Sequence, residues 1–91
     1  MAKGHPYQIG ENYFVRTVTY HFTGRLVAVY AQELVFTDAA WIASDGRFAD
    51  AISKGVYDEV EPFPDGSKVI IGRGSLIDVV LVNTPLPRVQ K

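Results

Sequence analysis

Few side chains in this 91-residue chain could do chemistry. His5 and His21 are its two histidines, and they form neither an HxH nor an HExxH pairing, the spacings by which metal sites declare themselves. Asp38, Asp45, Asp50, Asp58, Glu59, Glu61 and Asp65 could supply a carboxylate pair. Acid–base work, however, needs two carboxyls held in one pocket with separated pKa values. No spacing here fixes such a pair, and loop and helix-cap roles account for most of them. Ser44, Ser53 and Ser75 lack the GxSxG context of a hydrolase nucleophile. Gly72-Arg73-Gly74 is shorter than a dinucleotide or phosphate-loop fingerprint and reads as a bent strand. There is no cysteine, so disulfides, thiolate metal sites and thiol catalysis are excluded. The reading is of a non-enzymatic protein with no cofactor and no metal. A small-ligand or catalytic role would have to fall on His21 and nearby carboxylates.

Aromatics are the other candidate chemistry. Tyr13, Phe14, Tyr20, Phe22, Tyr30, Phe36 and Trp41 are dense, and aromatics on a sheet can stack single-stranded bases. Such platforms carry basic partners, and only Arg16 and Arg25 are close in sequence. Core and subunit-interface packing is the better account. The net charge is −1, from nine Lys/Arg against ten Asp/Glu, and the basic residues are scattered. Proteins that bind by neutralising phosphates show a basic surplus or stripe. Broad nucleic-acid or membrane-surface binding is therefore disfavoured, while a small local site stays open. The first residues, MAKGHPYQIG, lack the apolar core of a signal peptide, and no run is long enough to span a bilayer. The expectation is a soluble protein, cytoplasmic or virion-associated.

The elements that must position these residues are mostly strands. A 47% apolar, 21% charged composition is that of one globular domain. A domain this small buries a modest share of its surface, a shortfall that partner subunits could remedy. Residues 1–12, with Gly4, Pro6 and Gly10, form an irregular arm whose Tyr7 and Ile9 would gain by packing on a neighbouring subunit. A single domain spans 13–84, and 85–91 is a basic tail begun by Pro85 and Pro87. From Tyr13 the chain alternates, with Phe14, Arg16, Val18, Tyr20 and Phe22 on a core face and Tyr13, Val15, Thr17, Thr19 and His21 on a wetter one. Thr23-Gly24-Arg25 is expected to turn the chain. Residues 26–30, apolar on both faces, and 34–37 complete a three-stranded meander rich in β-branched and aromatic side chains.

The period then changes. Residues 45–54 read as a short helix, with Ser44 or Asp45 as N-cap, Gly55 as stop, Lys54 in the last turn, and Phe48, Ala51 and Ile52 on one face. It is expected to lid one end of the fold, with Trp41 and Phe48 packing inward. A brief strand over 56–61, a turn at Pro62, Pro64 and Asp65-Gly66, and a strand from Val69 follow. Gly72-Arg73-Gly74 makes a corner, and 76–82 is a last strand whose one charge is Asp78. Exposed, that strand would be an aggregation hazard, so it must be buried or paired with another chain.

Two blocks carry a resemblance. Gly24-Arg25-Leu26-Val27-Ala28-Val29 with Leu34-Val35-Phe36-Thr37-Asp38-Ala39 resembles the first motif of the Sm-like superfamily. Ile71-Gly72-Arg73-Gly74-Ser75-Leu76-Ile77 resembles the second. The resemblance implies a mainly β fold: a small, strongly bent five-stranded SH3-like or Sm-like barrel, here with a short helix inserted around 45–54. It implies a ring made by pairing the last two edge strands between subunits. In that family the RNA-reading loops carry an Asp and an Asn in the first motif and the Arg in the second. Those first-motif positions fall on Tyr30 and Glu33 here, with one residue deleted between them, while Arg73 is retained. The 39–68 insertion and the irregular arm also depart from the pattern. The stretch DAAWIASDGRF is similar to small proteins of tailed phages and would suit an assembly or virion accessory component.

These observations lead to a structural protein whose partners are copies of itself and other structural proteins of an assembly. It is expected to form a homo-oligomeric, ring-like complex by β-edge pairing. Leu76, Ile77, Val79, Val80 and Leu81, with Val27 and Val29, would line the oligomer interface. The alternative is an Sm-like RNA-binding ring using Arg73, Gly74 and Tyr30.

Overall fold

A computed structural model describes residues 4–91. Six strands form one antiparallel sheet: β1 (Asn12–Thr17), β2 (His21–Val29), β3 (Glu33–Ser44), β4 (Glu59–Pro62), β5 (Val69–Gly72) and β6 (Leu76–Val82). A two-turn helix, α1 (Phe48–Lys54), lies between β3 and β4, and a turn of 3-10 helix over Arg73–Ser75 joins β5 to β6. The strand order is β4-β3-β2-β1-β6, with β5 also pairing β3. The expected mainly β class holds, with one strand more than the five expected, and the sheet is open.

The first reversal is not at Thr23-Gly24-Arg25. Residues 18–20 make it, between β1 and β2. Buried Thr17 holds this turn, its hydroxyl accepting from the Tyr20 N–H at 3.0 Å and donating to the Tyr20 carbonyl at 2.7 Å. A threonine side chain supplies the turn that sequence expected from glycine. The β-branched residues around it hid the break inside a strand-like run.

Gly24 instead sits in mid-strand, where a Cβ would lie 3.0 Å from the Phe36 Cβ and 3.4 Å from that of Ala39. A side chain there would have to press Phe36 or Ala39 back by a few tenths of an ångström. Opposite Gly24, β3 carries an extra residue, since Thr23 pairs with Ala40 but Arg25 with Thr37. Asp38 takes φ 51° there, and its carboxylate meets Arg25 at 2.8 Å. Such a bulge bends the strand and resets its alternation. Leu34, Phe36 and Ala39 serve one core, whereas Ala40 and Ile42 serve another.

Two cores thus lie on one sheet. The inner one gathers Tyr13, Val15, Phe22, Leu26, Leu34, Phe36, Ala39 and Val69. The outer one gathers Phe14, Ala40, Ile42, Val60 and Val82 under α1 and Tyr57, through Ala51. β1 therefore has no wet face: Tyr13, Phe14 and Val15 are all buried. The Phe14 ring stacks on Tyr57 at 6.1 Å and meets Phe48 edge-on at 6.1 Å.

Around α1 the Gly55 stop is as expected, at φ 69° with its N–H on the Ala51 carbonyl. The N-cap differs. Arg47 occupies it without a side-chain bond; Ser44 ends β3 and the Asp45 carboxylate turns to His21, both short of the first turn. Trp41 does not pack under the helix. It lies on the other side of β3 from Ala40 and Ile42, and both it and Phe48 remain about two-fifths exposed.

The ends are tied down. Gly10 donates to the Leu26 carbonyl at 2.7 Å, and the Leu26 N–H donates to Glu11. Residues 1–3 of the expected arm lie outside the described residues. In the tail, Arg88 donates to the carbonyls of Ala39 and Phe63 and to the Asp65 carboxylate. Lys91 exchanges two backbone bonds with Val60 and covers the outer side of β4.

Replacing Gly24 with Ala should destabilise the fold by about 1–3 kcal/mol, because the new methyl meets two packed Cβ atoms. Gly74→Ala, with open space around it and no left-handed backbone, should be neutral or stabilise by up to about 1 kcal/mol. Urea unfolding followed by fluorescence compares the two.

Candidate functional site

Of the residues tied to oligomerisation, the five on β6 divide by face. Leu76 and Val79 pack against the inner core and Val80 against the outer one, while Ile77 and Leu81 are laid open. The backbone register against β1 slips at Ile77, which stands as the extra residue between the Arg16–Asp78 and Thr17–Leu76 pairs. β6 pairs only with β1 among the described strands, so its other edge is free. β5 pairs only with β3, and Ile70 on it is 67% exposed. Val27 and Val29 lie on β2 beyond Arg25, the last residue that β1 pairs, so in the ladder only β3 flanks them. Val29 already packs against the inner core.

The residues tied to RNA sit at one end of the sheet. Arg73 opens the 3-10 turn, and its N–H donates to the Gln32 carbonyl at 2.9 Å, joining this corner to the β2–β3 turn that carries exposed Tyr30. The aromatic against Arg73 is Tyr7, from the arm, with the guanidinium 5.4 Å over its ring. The Arg73 Nε is buried without a hydrogen-bond partner. Arm residue Tyr7 thus packs on its own chain, against Arg73 and the inner core. The glycines flanking Arg73 adopt no left-handed backbone, so the corner owes its shape to the 3-10 turn rather than to glycine freedom.

Sequence gave no sign of a charged network at the other end. Arg16 donates through both Nε and Nη2 to the two Asp78 oxygens, a fork-on-fork pair. The Arg16 guanidinium also lies 5.1 Å over the Phe48 ring. Nearby, His21 Nδ1 stands 3.0 Å from both Asp45 oxygens, and its ring meets Phe14 edge-on. The Arg16 hydrogen bonds hold the Asp78 carboxyl below its ordinary value. Burial, with the Asp45 charge, pushes the Tyr57 phenol up. These groups meet because Arg16 pairs with Asp78 across β1 and β6 and with His21 across β1 and β2. Only register brings them together, and register is invisible in spacing.

Beside this network runs an aromatic groove. Tyr20, Trp41 and Phe63, with Glu61, Pro62 and Pro64, enclose about 450 Å³. A second groove of about 310 Å³ shares Tyr20 and Trp41 and ends on His21 and Asp45. Tyr20 and Phe63 border the inner core, so the groove is that core's open mouth. Large aromatics are highly buried on average, which is the ground for expecting Trp41 to pack inward; the bulge at Asp38 turns it out.

Comparison with family models, curated proteins and solved structures returns no match to this chain. Among the described residues no helix is long and apolar enough to cross a membrane.

The Arg16–Asp78 pair has a pH signature. Its carboxyl sits low in the folded state, so the pair stabilises the fold above the unfolded carboxyl value of about 4, and that contribution fades as pH falls through the native value. Asp78→Asn should melt at lower temperature than the parent at pH 7 and lose less on going to pH 3. Thermal melts across that range check the narrowing gap.

Proposed function

We propose that the chain is a non-enzymatic assembly subunit that joins copies of itself into a ring, β5 of one copy pairing with β6 of the next. The free, apolar edge of β6 carries this reading. Its exposed side chains are Ile77 and Leu81, and its one charge, Asp78, is already neutralised by Arg16. Natural sheets blunt open edges with charge, proline or cover. Here the outer side of β4 has its cover in Lys91, whereas β6 has apolar residues. β5 offers a second uncovered edge with Ile70 outward. Two different edges on one chain favour a head-to-tail contact, which closes into a ring when the rotation allows. The path from β5 through the 3-10 turn to β6 runs from one border strand to another, and this supports reading the bent sheet as an unclosed Sm-like barrel. A virion accessory role is proposed on the resemblance read in residues 38–48 alone.

Sedimentation at micromolar concentration should give a small integer multiple of the single-chain mass. Ile77→Lys combined with Leu81→Lys should return it to one chain without loss of folded signal. A parent protein that stays monomeric overturns the reading.

A second reading, an RNA-binding ring, draws on Arg73: a guanidinium stacked on Tyr7, with its Nε unpartnered, beside exposed Tyr30. Filter binding with oligo-U and oligo-A should then show salt-sensitive retention that Arg73→Ala reduces at least tenfold. Absence of such binding removes this reading and leaves the assembly role standing.

A further inference from the structure

We propose that the groove formed by Tyr20, Trp41 and Phe63 is a docking site for an extended, proline-containing segment of a partner protein that carries an arginine or lysine. The site is separate from the β5 and β6 edges and does not rest on the ring.

The lining argues for this occupant. Three aromatic rings and two prolines make a nearly continuous apolar wall. Trp41 is 42% exposed, although it stands between Phe22 and Glu61 in the pairing register of β2, β3 and β4. Its exposure follows from the open sheet, which leaves no strand over the mouth of the inner core. An extended segment with proline rings suits such a wall, because its backbone is already held in polyproline conformation and loses little entropy on docking.

Charge sets the second half of the specificity. The charged side chains lining the two connected grooves are Glu61 at one end and, at the other, Asp45, which His21 already engages at 3.0 Å; the linings hold no lysine or arginine. Glu61 pairs with Trp41 across β3 and β4, so a cation set against the indole face would also meet this carboxylate. A nucleic acid could stack on the rings, but its phosphates would meet carboxylates. A sugar would ask for several hydrogen-bonding partners, and in the larger groove these reduce to Glu61, the Tyr20 hydroxyl and the Trp41 indole. The cationic peptide is the ligand that satisfies both the wall and its charged ends.

The test is fluorescence polarisation with a labelled peptide of repeated Ala-Pro-Pro-Arg units, run on the full chain. Binding should fall about tenfold when arginine is replaced by glutamate in the peptide or when Glu61→Lys is made in the protein, a change at an exposed position. Trp41→Ala should abolish it, with circular dichroism melts confirming that both variants fold. A Gly-Ser-Arg peptide of equal charge should bind at least tenfold more weakly. No binding by the proline–arginine peptide overturns the proposal. So does binding that Glu61→Lys leaves unchanged, or preference for an oligosaccharide or oligonucleotide probe over the peptide. Sedimentation of the same samples reports ring formation separately.

Discussion

Everything in this fold depends on the close approach of β2 and β3 at Gly24. A Cβ there would lie 3.0 Å from that of Phe36, so any other residue would have to press its neighbours back by a few tenths of an ångström. The opposing bulge, with Asp38 held in left-handed conformation and paired to Arg25, converts that approach into a bend. A non-glycine residue in that region carries a conformational cost, which the ion pair and the surrounding ladder offset. The bend lets one short sheet enclose an inner core while turning the far half of β3 toward an outer one.

Two cores on one sheet explain how a small chain reaches full burial of Phe14, Phe22 and Phe36. β1 works as the shared wall, covered on one face by strands and on the other by α1 and Tyr57. The same arrangement limits closure. β4 and β5 both lie on β3, and β6 returns to β1, which leaves edges and one mouth of the inner core uncovered. Those uncovered regions carry the exposed apolar side chains: Ile70, Ile77 and Leu81 at the edges, Trp41 at the mouth. The proposed contacts lie where the sheet fails to cover itself.

The charged groups obey the same geometry. Arg16, His21 and Asp78 come from β1, β2 and β6 and are assembled by the pairing register, and Asp45 joins them from the loop before α1 through His21. Asp45 is thereby withdrawn from capping α1, and the helix begins at Arg47 without a side-chain cap. A local propensity was overridden by a tertiary partner, as propensities in half-buried segments often are.

Much of the fold was legible in the sequence. The density of β-branched and aromatic residues over 15–39 identified strands, Gly55 marked the helix end, and the apolar run 76–82 marked β6. Tertiary structure decided where the chain reverses, since Thr17 turns it by hydrogen bonds that no glycine announces. It also decided that Gly24 serves packing rather than turning, and that Trp41 faces out. A β-strand alternates with period two, and a single bulge inverts every side chain beyond it. Sequence sets the alternation; only the paired strands reveal where the inversion falls.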